Sequence, residues 1–224
     1  MKAVSPNPSG VMPGGSPVDD LAIRFVNTAA WRLRSDIEER LPSAAALLAW
    51  LQSNGLVSNE QFRSLRLDWK QNVDLAQSAY EGAIALREVI YNLLSARIAH
   101  KAPAKADVQA FNTFLSDHAQ AARIAWRAGA YGWNMSSPQA AGIGLFIPVA
   151  LSAAELLTGI RANKVRQCQD DRGCGWLFVD ESRAQNRRWC SMGDCGNRAK
   201  AHRHYERAKK QGMSSKTISS QRTT

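Results

Sequence analysis

The sequence predicts a mainly α protein: a multihelical N-terminal domain with a short β-hairpin, followed by a small C-terminal module made of a β-hairpin plus a helix. Three observations carry this reading. Apolar residues recur at helical spacing from about residue 43 to about residue 122. Two short alternating aromatic runs flank Gly129. All four cysteines of the chain, Cys168, Cys174, Cys190 and Cys195, fall in one short C-terminal stretch.

Residues 1–17 hold four prolines, three glycines and three serines with no apolar periodicity, which predicts a disordered arm. Nothing in them resembles an export signal. The helical domain then spans 18–160. Its first segment, Asp19 to about Arg32, places Leu21, Phe25 and Thr28 at helical spacing with Asp19 or Asp20 as cap, although Ile23, Phe25 and Asn27 also fit a strand. Ser43 caps an Ala/Leu-rich helix through Leu47, Leu48, Trp50 and Leu51, which Gly55 ends in the left-handed conformation. Ser58 and Gln61 form a capping-box pattern, and the chain stays helical to His100 in two pieces. Leu75, Ala79, Ala83, Leu86, Ile90 and Leu94 line one face of the second piece.

Pro103 breaks that run, and Asp107 to Ala122 forms a further helix with Val108, Phe111, Leu115 and Ala119 inward. Ile124 and Trp126, then Tyr131 and Trp133, alternate around Gly129 and Gly132 as a hairpin would. Pro148 suits the first turn of a helix containing Leu151, Leu156 and Leu157. Ala128 to Ala154 has no charged residue, but its four glycines and two prolines oppose a membrane span. The last helix leads through Arg161, Lys164 and Arg166 into the C-terminal module (161–211) without a floppy linker, so the two parts are expected to pack as a unit. A disordered tail, 212–224, follows.

The cysteine pairs have five and four residues inside them and fifteen between them. Each pair closes a short loop that turns two sulfurs toward one point, and zinc prefers four tetrahedral N or S ligands. Cys168, Cys174, Cys190 and Cys195 therefore read as one structural Zn2+ site. Two disulfides would staple the same segment in an oxidising compartment. A catalytic zinc would keep a position open for water, and four sulfurs leave none.

Within the module, Trp176 to Val179 reads as a strand, Asp180 to Asn186 as a turn, and Arg187 to Trp189 as the returning strand. Trp176 and Trp189 then face each other across that hairpin as a miniature core. Cys195 opens a helix through about Lys210, where free amides and the helix dipole favour a thiolate. Ala201, Tyr205 and Ala208 form its packing side, and Lys200, Arg203, Arg207 and Lys210 its basic side. Asn197 reads as a helix cap, and His202 and His204 as surface groups, phosphate donors or spare ligands.

The run Cys190-Ser-Met-Gly-Asp-Cys195-Gly-Asn-Arg198-Ala-Lys200, preceded by Cys174-Gly-Trp-Leu-Phe-Val-Asp180 and Arg187-Arg-Trp-Cys190, closely resembles the CGNR zinc finger over residues 164–210. In that family the finger commonly follows an ABATE domain, associated with stress-induced transcriptional regulation. Residues 19–160 look like that domain through Leu21-Ala-Ile-Arg-Phe-Val-Asn-Thr28, Leu47-Leu-Ala-Trp-Leu51 and the Trp126 to Trp133 region. The resemblance implies a bacterial, cytoplasmic, nucleoid-associated DNA-binding regulator, with zinc on the four cysteines in a treble-clef-like finger.

Charge agrees with a polyanionic partner. The chain has 14 Lys+Arg against 13 Asp+Glu through residue 160, and 15 against 6 beyond it. Four thiolates on one zinc absorb part of that excess and leave most of it. Arg203 and Arg207 are assigned to the major groove of double-stranded DNA, and Lys200, Lys209, Lys210, Arg187 and Arg188 to its phosphates. Arg198, beside Cys195, is expected to support the metal loop instead. A solvated basic helix face is the plainer reading of the same stripe.

Two other functions compete. One is a protein-interaction adaptor whose finger docks on an acidic partner without touching DNA. The other is an enzyme, for which the sequence offers no glycine-rich phosphate loop, HExxH or nucleophile motif, and only His100 and His118 in polar stretches of the helical domain. That domain is left to sense a small-molecule effector, a partner or its own homodimerisation. Trp31, Trp50, Trp69, Trp126 and Trp133 are candidate pocket walls, although aromatics at helical spacing more often form core.

Overall fold

The computed structural model describes residues 20–119, 123–127, 130–134, 142–205, 207 and 209. The expected arm (1–17) and tail (212–224) lie outside the described residues, as do Gly129, Ala208 and Lys210.

Helix α1 (Leu21–Val26) turns only Arg24 to solvent, and its other five side chains are buried, as expected of a central helix apolar almost all round. It stops at Val26 and not near Arg32. The Thr28 hydroxyl donates to Phe25 O at 2.7 Å, and the chain leaves as β1 (Ala29–Ala30), antiparallel to β2 (Glu38–Glu39). Helix α2 (Ala44–Ser53) starts where Ser43 Oγ accepts the Ala46 N–H at 3.2 Å. Gly55 follows its end at φ +70°, a conformation that costs glycine little.

Both bonds of the expected capping box open α3 (Asn59–Gln71). Asn72 then caps α4 (Val73–Ile98) by accepting the Leu75 N–H at 3.0 Å, which explains the division into two helices. Ala79, Ala83, Leu86, Ile90 and Leu94 of α4 are buried and Leu75 is half-buried. Helix α5 (Lys105–Asp117) starts earlier and ends sooner than its sequence pattern implied. It packs chiefly against α4 at the edge of the body, so Phe111 is buried while Val108 and Ala119 stay exposed.

Strands β3 (Arg123–Arg127) and β4 (Ala130–Asn134) form the expected hairpin, with Trp126 opposite Tyr131. A 3-10 turn, Ile143–Phe146, leads into α6 (Ile147–Thr158), with Pro148 in its first turn. Helix α6 packs on α1 and α4. No helix among the described residues is long and apolar enough to cross a membrane.

The tryptophans do not line one pocket. Phe25 lies 5.1 Å from Trp50 and 5.0 Å from Phe146 in the aromatic centre of the body. Trp69 is buried elsewhere in the core, Trp31 faces the cysteines, Trp126 is exposed, and the Trp133 side chain lies outside the described residues.

The finger strands are β5 (Val165–Gln167) and β6 (Leu177–Val179), antiparallel with Val165 opposite Val179. Their apolar side chains Val165, Leu177 and Val179 join the same core as Leu21 and Phe25. Asn27 clamps the junction: its Nδ2 donates to Leu177 O at 2.9 Å, and its Oδ1 accepts the Leu177 N–H at 3.0 Å.

Candidate metal centre and basic helix

The hairpin of the finger encloses the first cysteine pair and does not span the gap between pairs. Strand β6 pairs with β5, and the Cys168 N–H donates to Trp176 O at 2.8 Å, so the Cys168–Cys174 loop is the turn of this hairpin. Arg187 to Trp189, expected as the returning strand, forms none. Instead the Gln169 N–H donates to Arg188 O at 2.8 Å, and the buried Asp180 carboxylate accepts the Arg187 N–H at 2.8 Å. These contacts bring the second cysteine loop over the first. Trp176 and Trp189 therefore pack, with Trp31, around the cysteines and not across a hairpin.

The four sulfurs meet at one point. All lie within 4.8 Å of one another, with Cys174 and Cys190 Sγ 3.8 Å apart and Cys190 and Cys195 Sγ 3.6 Å apart. Thiolates about 2.3 Å from a tetrahedral zinc lie about 3.8 Å from each other, so the spacing fits that ion. Three of the cysteines are buried and Cys190 is half-buried, and the cluster includes neither His202 nor His204. This is the donor set of a structural zinc site, with no position left for water.

Electrostatics point the same way. Hydrogen bonds from the Cys174 and Cys190 thiols favour a thiolate at Cys168, and contact with Cys168 and then Cys174 pushes the Cys190 thiol up. Contact with Cys168 raises Cys174, and burial raises Cys195. Protons alone thus leave the cluster carrying little negative charge, and a divalent cation is what lets all four sulfurs ionise together.

Cys195 sits in a π-helical turn, Met192–Gly196, where Ser191 Oγ accepts the Asp194 N–H at 3.2 Å. Regular helix begins just after it, at 197–205, here called α7. The tetrapeptide from Cys195 to Arg198 has a separate job at each position. Cys195 supplies a sulfur; Gly196 is buried, where a Cβ would meet Met192 Sδ at 3.3 Å. Asn197 Nδ2 donates back to Gly193 O at 2.9 Å. Arg198 donates to Asp170 Oδ2, to Asp194 and, at 2.8 Å, to Cys195 Sγ, with Trp31 beneath its guanidinium.

Asp170 is the anchor of that arrangement. Burial alone would raise its pKa, but hydrogen bonds from the Arg172 N–H and the Arg198 side chain hold it below the usual aspartate value.

The body supplies one wall of the cysteine loop. The Arg32 and Leu33 N–H groups donate to Cys174 O and Gly173 O at 3.1 and 3.2 Å. Gly173 and Gly175 have φ +89° and +65°, and a Cβ on either would come within 2.8 Å of Arg34 or Leu33 side-chain atoms. Trp31, Asp170 and the Arg32–Arg34 backbone were missed in sequence because no spacing links residue 31 to residue 174. The glycines flanking Cys174 were the one visible sign of a close approach.

The basic residues fall into two groups. Lys200, Arg203, Arg207 and Lys209 are exposed on or just beyond α7, and Arg203 reaches back toward the Trp189 ring at 5.9 Å. Arg188 is exposed and bonded to Gln169 at 2.9 Å. Arg187 is turned inward, donating to Cys190 O at 3.0 Å and lying over Phe178. Of the expected packing side of α7, the described residues Ala201 and Tyr205 are exposed, as the helix extends away from the body beyond the anchored Arg198. His202 faces Asp171 at 3.0 Å.

Comparison with known families agrees with this geometry. Residues 19–160 match the ABATE family, described as "Putative stress-induced transcription regulator". Residues 164–208 match the CGNR zinc finger. A search of curated proteins found no match. The chain belongs to the ABATE family and carries a CGNR zinc finger after its helical body.

Proposed function

We propose that this chain is a zinc-dependent DNA-binding transcriptional regulator whose finger presents α7 to duplex DNA. The carrying observation is that α7 leaves the cysteine cluster with Lys200, Arg203, Arg207 and Lys209 exposed, next to the bonds that fix its first turn. From Arg198 to Lys210 the sequence has six Lys and Arg against the single acid Glu206. A helix of this width enters the major groove.

In this reading Cys168, Cys174, Cys190 and Cys195 hold Zn2+, Arg203 and Arg207 reach base edges, and Lys200, Lys209, Lys210 and Arg188 meet phosphates, while Arg187, turned inward onto Cys190 O, braces the cysteine loop instead of the DNA backbone. Segment 161–211 is the DNA-binding unit, and 18–160 senses an effector or dimerises, in a cytoplasmic bacterial regulator.

Selection of bound sites from random duplexes, with zinc-loaded protein and a chelated control, tests this. Enrichment of a short motif that disappears on chelation supports it, and a two-fold motif reports a dimer. Absence of any enriched site together with a co-purifying acidic protein supports the adaptor reading.

A further inference from the structure

A cleft of about 410 Å3 opens between α1, the turn after β2, α2 and the second cysteine loop. Its volume and largely apolar walls have the general form of a small-molecule site. Trp50 and Trp176 give it aromatic surface over the buried Phe178, while its charged lining residues, Arg24 and Arg40, are both cations. Arg40 Nε is spent on Glu38 at 2.9 Å, in a pair about half exposed, which leaves its terminal nitrogens. The Arg24 side chain is exposed and makes no ion pair among the described residues. Other polar groups of the cleft are engaged: Asn27 holds the Leu177 backbone, and Thr28 bonds Phe25 O and Arg87.

We infer that this cleft binds a small aromatic carboxylate, with its ring against the Trp50 indole and its carboxylate held by Arg24 and by Arg40, which is itself braced over the Trp176 ring at 4.9 Å. Aromatic faces suit a planar apolar body, and guanidinium forks suit a carboxylate. The N-terminal arm is a poor occupant on charge grounds, since residues 1–18 contain no Asp or Glu and do contain Lys2.

Cys190 and Ser191 also line the cleft. Ser191 also caps the turn that delivers Cys195. A bound carboxylate therefore touches both the body and the loop bearing two of the four sulfurs, so its binding and zinc retention are coupled, each strengthening the other. Ligand binding does not depend on the DNA reading, and it is measured without DNA.

The experiment is calorimetric titration of the zinc-loaded full chain with benzoate, 3-phenylpropionate and indole-3-acetate, their amides, and acetate. At least one of the three acids is expected to bind one-to-one with Kd below about 1 mM. Its amide and acetate should bind at least about tenfold more weakly, and Arg24→Ala and Arg40→Ala should each weaken the acid about tenfold. Both arginines are exposed, and zinc content with circular dichroism checks that the variants fold. With that acid at saturation, zinc transfer to a chelator should slow about fivefold or more. No saturable binding by any of the three acids, equal binding of acid and amide, or full retention in the double variant overturns the site. An unchanged rate of zinc loss overturns the coupling.

Discussion

Arg198 donates two hydrogen bonds, at 2.9 and 3.1 Å, to one oxygen of Asp170, a carboxylate with no solvent exposure. Asp170 lies two residues beyond the first metal cysteine and Arg198 three beyond the last, so this pair ties the ends of the ligand set together. The same guanidinium donates to Cys195 Sγ. A planar fork with several donors suits that task, and a single ammonium does not.

Arg198→Lys should therefore weaken zinc binding by about 10- to 100-fold, the usual scale for loss of a group supporting metal ligands. Asp170→Asn should act in the same direction. Competition against a chromogenic chelator reads both, and wild-type affinity in either variant would contradict the role assigned to the pair.

Gly175→Ala should destabilise the folded chain by about 2 kcal/mol or more, because its positive φ and the Leu33 side chain 2.8 Å away both oppose a Cβ. Gly193→Ala is the matched control, with nothing within 4 Å of its added carbon. Urea unfolding compares the two, and equal midpoints would remove the close approach as a constraint.

The buried Arg87 guanidinium, 4 % exposed, holds Glu39 at 2.6 Å and Glu88 at 2.8 Å. Burial alone would raise both glutamates, but hydrogen bonds to Arg87, and for Glu88 first to Arg32, bring them below their usual value. Carboxylates depressed in this way add stability that is complete above the unfolded value of about 4.3 and is lost as pH falls through the folded value. The stability difference between wild type and Glu39→Gln should thus be largest at neutral pH and shrink on acidification below about pH 4.3. Glu39 is about one-third exposed, so solvent screening keeps its pH-dependent part to about 1 kcal/mol or less. Zinc loss at acid pH affects both chains and cancels in the difference. A gap that widens as pH falls would reverse the sign.

Chelation should lower the melting temperature of the whole chain and not merely loosen its end, because Val165, Leu177 and Val179 of the finger sit in the core of the body. Zinc rebinding should release protons from the thiols that stay protonated without metal. Melting followed on the helical signal and calorimetry in buffers of different ionisation enthalpy read these two effects. An unchanged body transition would mean the finger folds apart.

Local signals were read correctly wherever a side chain satisfies its own neighbourhood. Ser43 and the Ser58–Gln61 pair mark boundaries through bonds within a few residues, Gly55 through its positive φ, and Pro148 through its place in a first turn. The cysteine cluster was legible for a similar reason, since four thiols in a short stretch have few other arrangements. Failures came where tertiary contacts overrode local pattern. The early end of α1 is set by strand pairing at Ala29, and β6 found β5 because Val165 and Leu177 share the body core. The exposed Ala201 and Tyr205 show that amphipathic spacing alone does not tell whether anything lies opposite. The wall from Trp31 to Arg34 is about 140 residues from the loop it supports, beyond the reach of any spacing argument.

The most direct test of the account is fluorescence anisotropy of a labelled duplex across a salt series, comparing zinc-loaded wild type with Arg203→Ala/Arg207→Ala of equal zinc content. The account predicts wild-type affinity that falls steeply with salt, and binding about tenfold or more weaker with a shallower salt slope in the variant. Identical affinity and slope for the two proteins, or no binding by wild type at low salt, would contradict it.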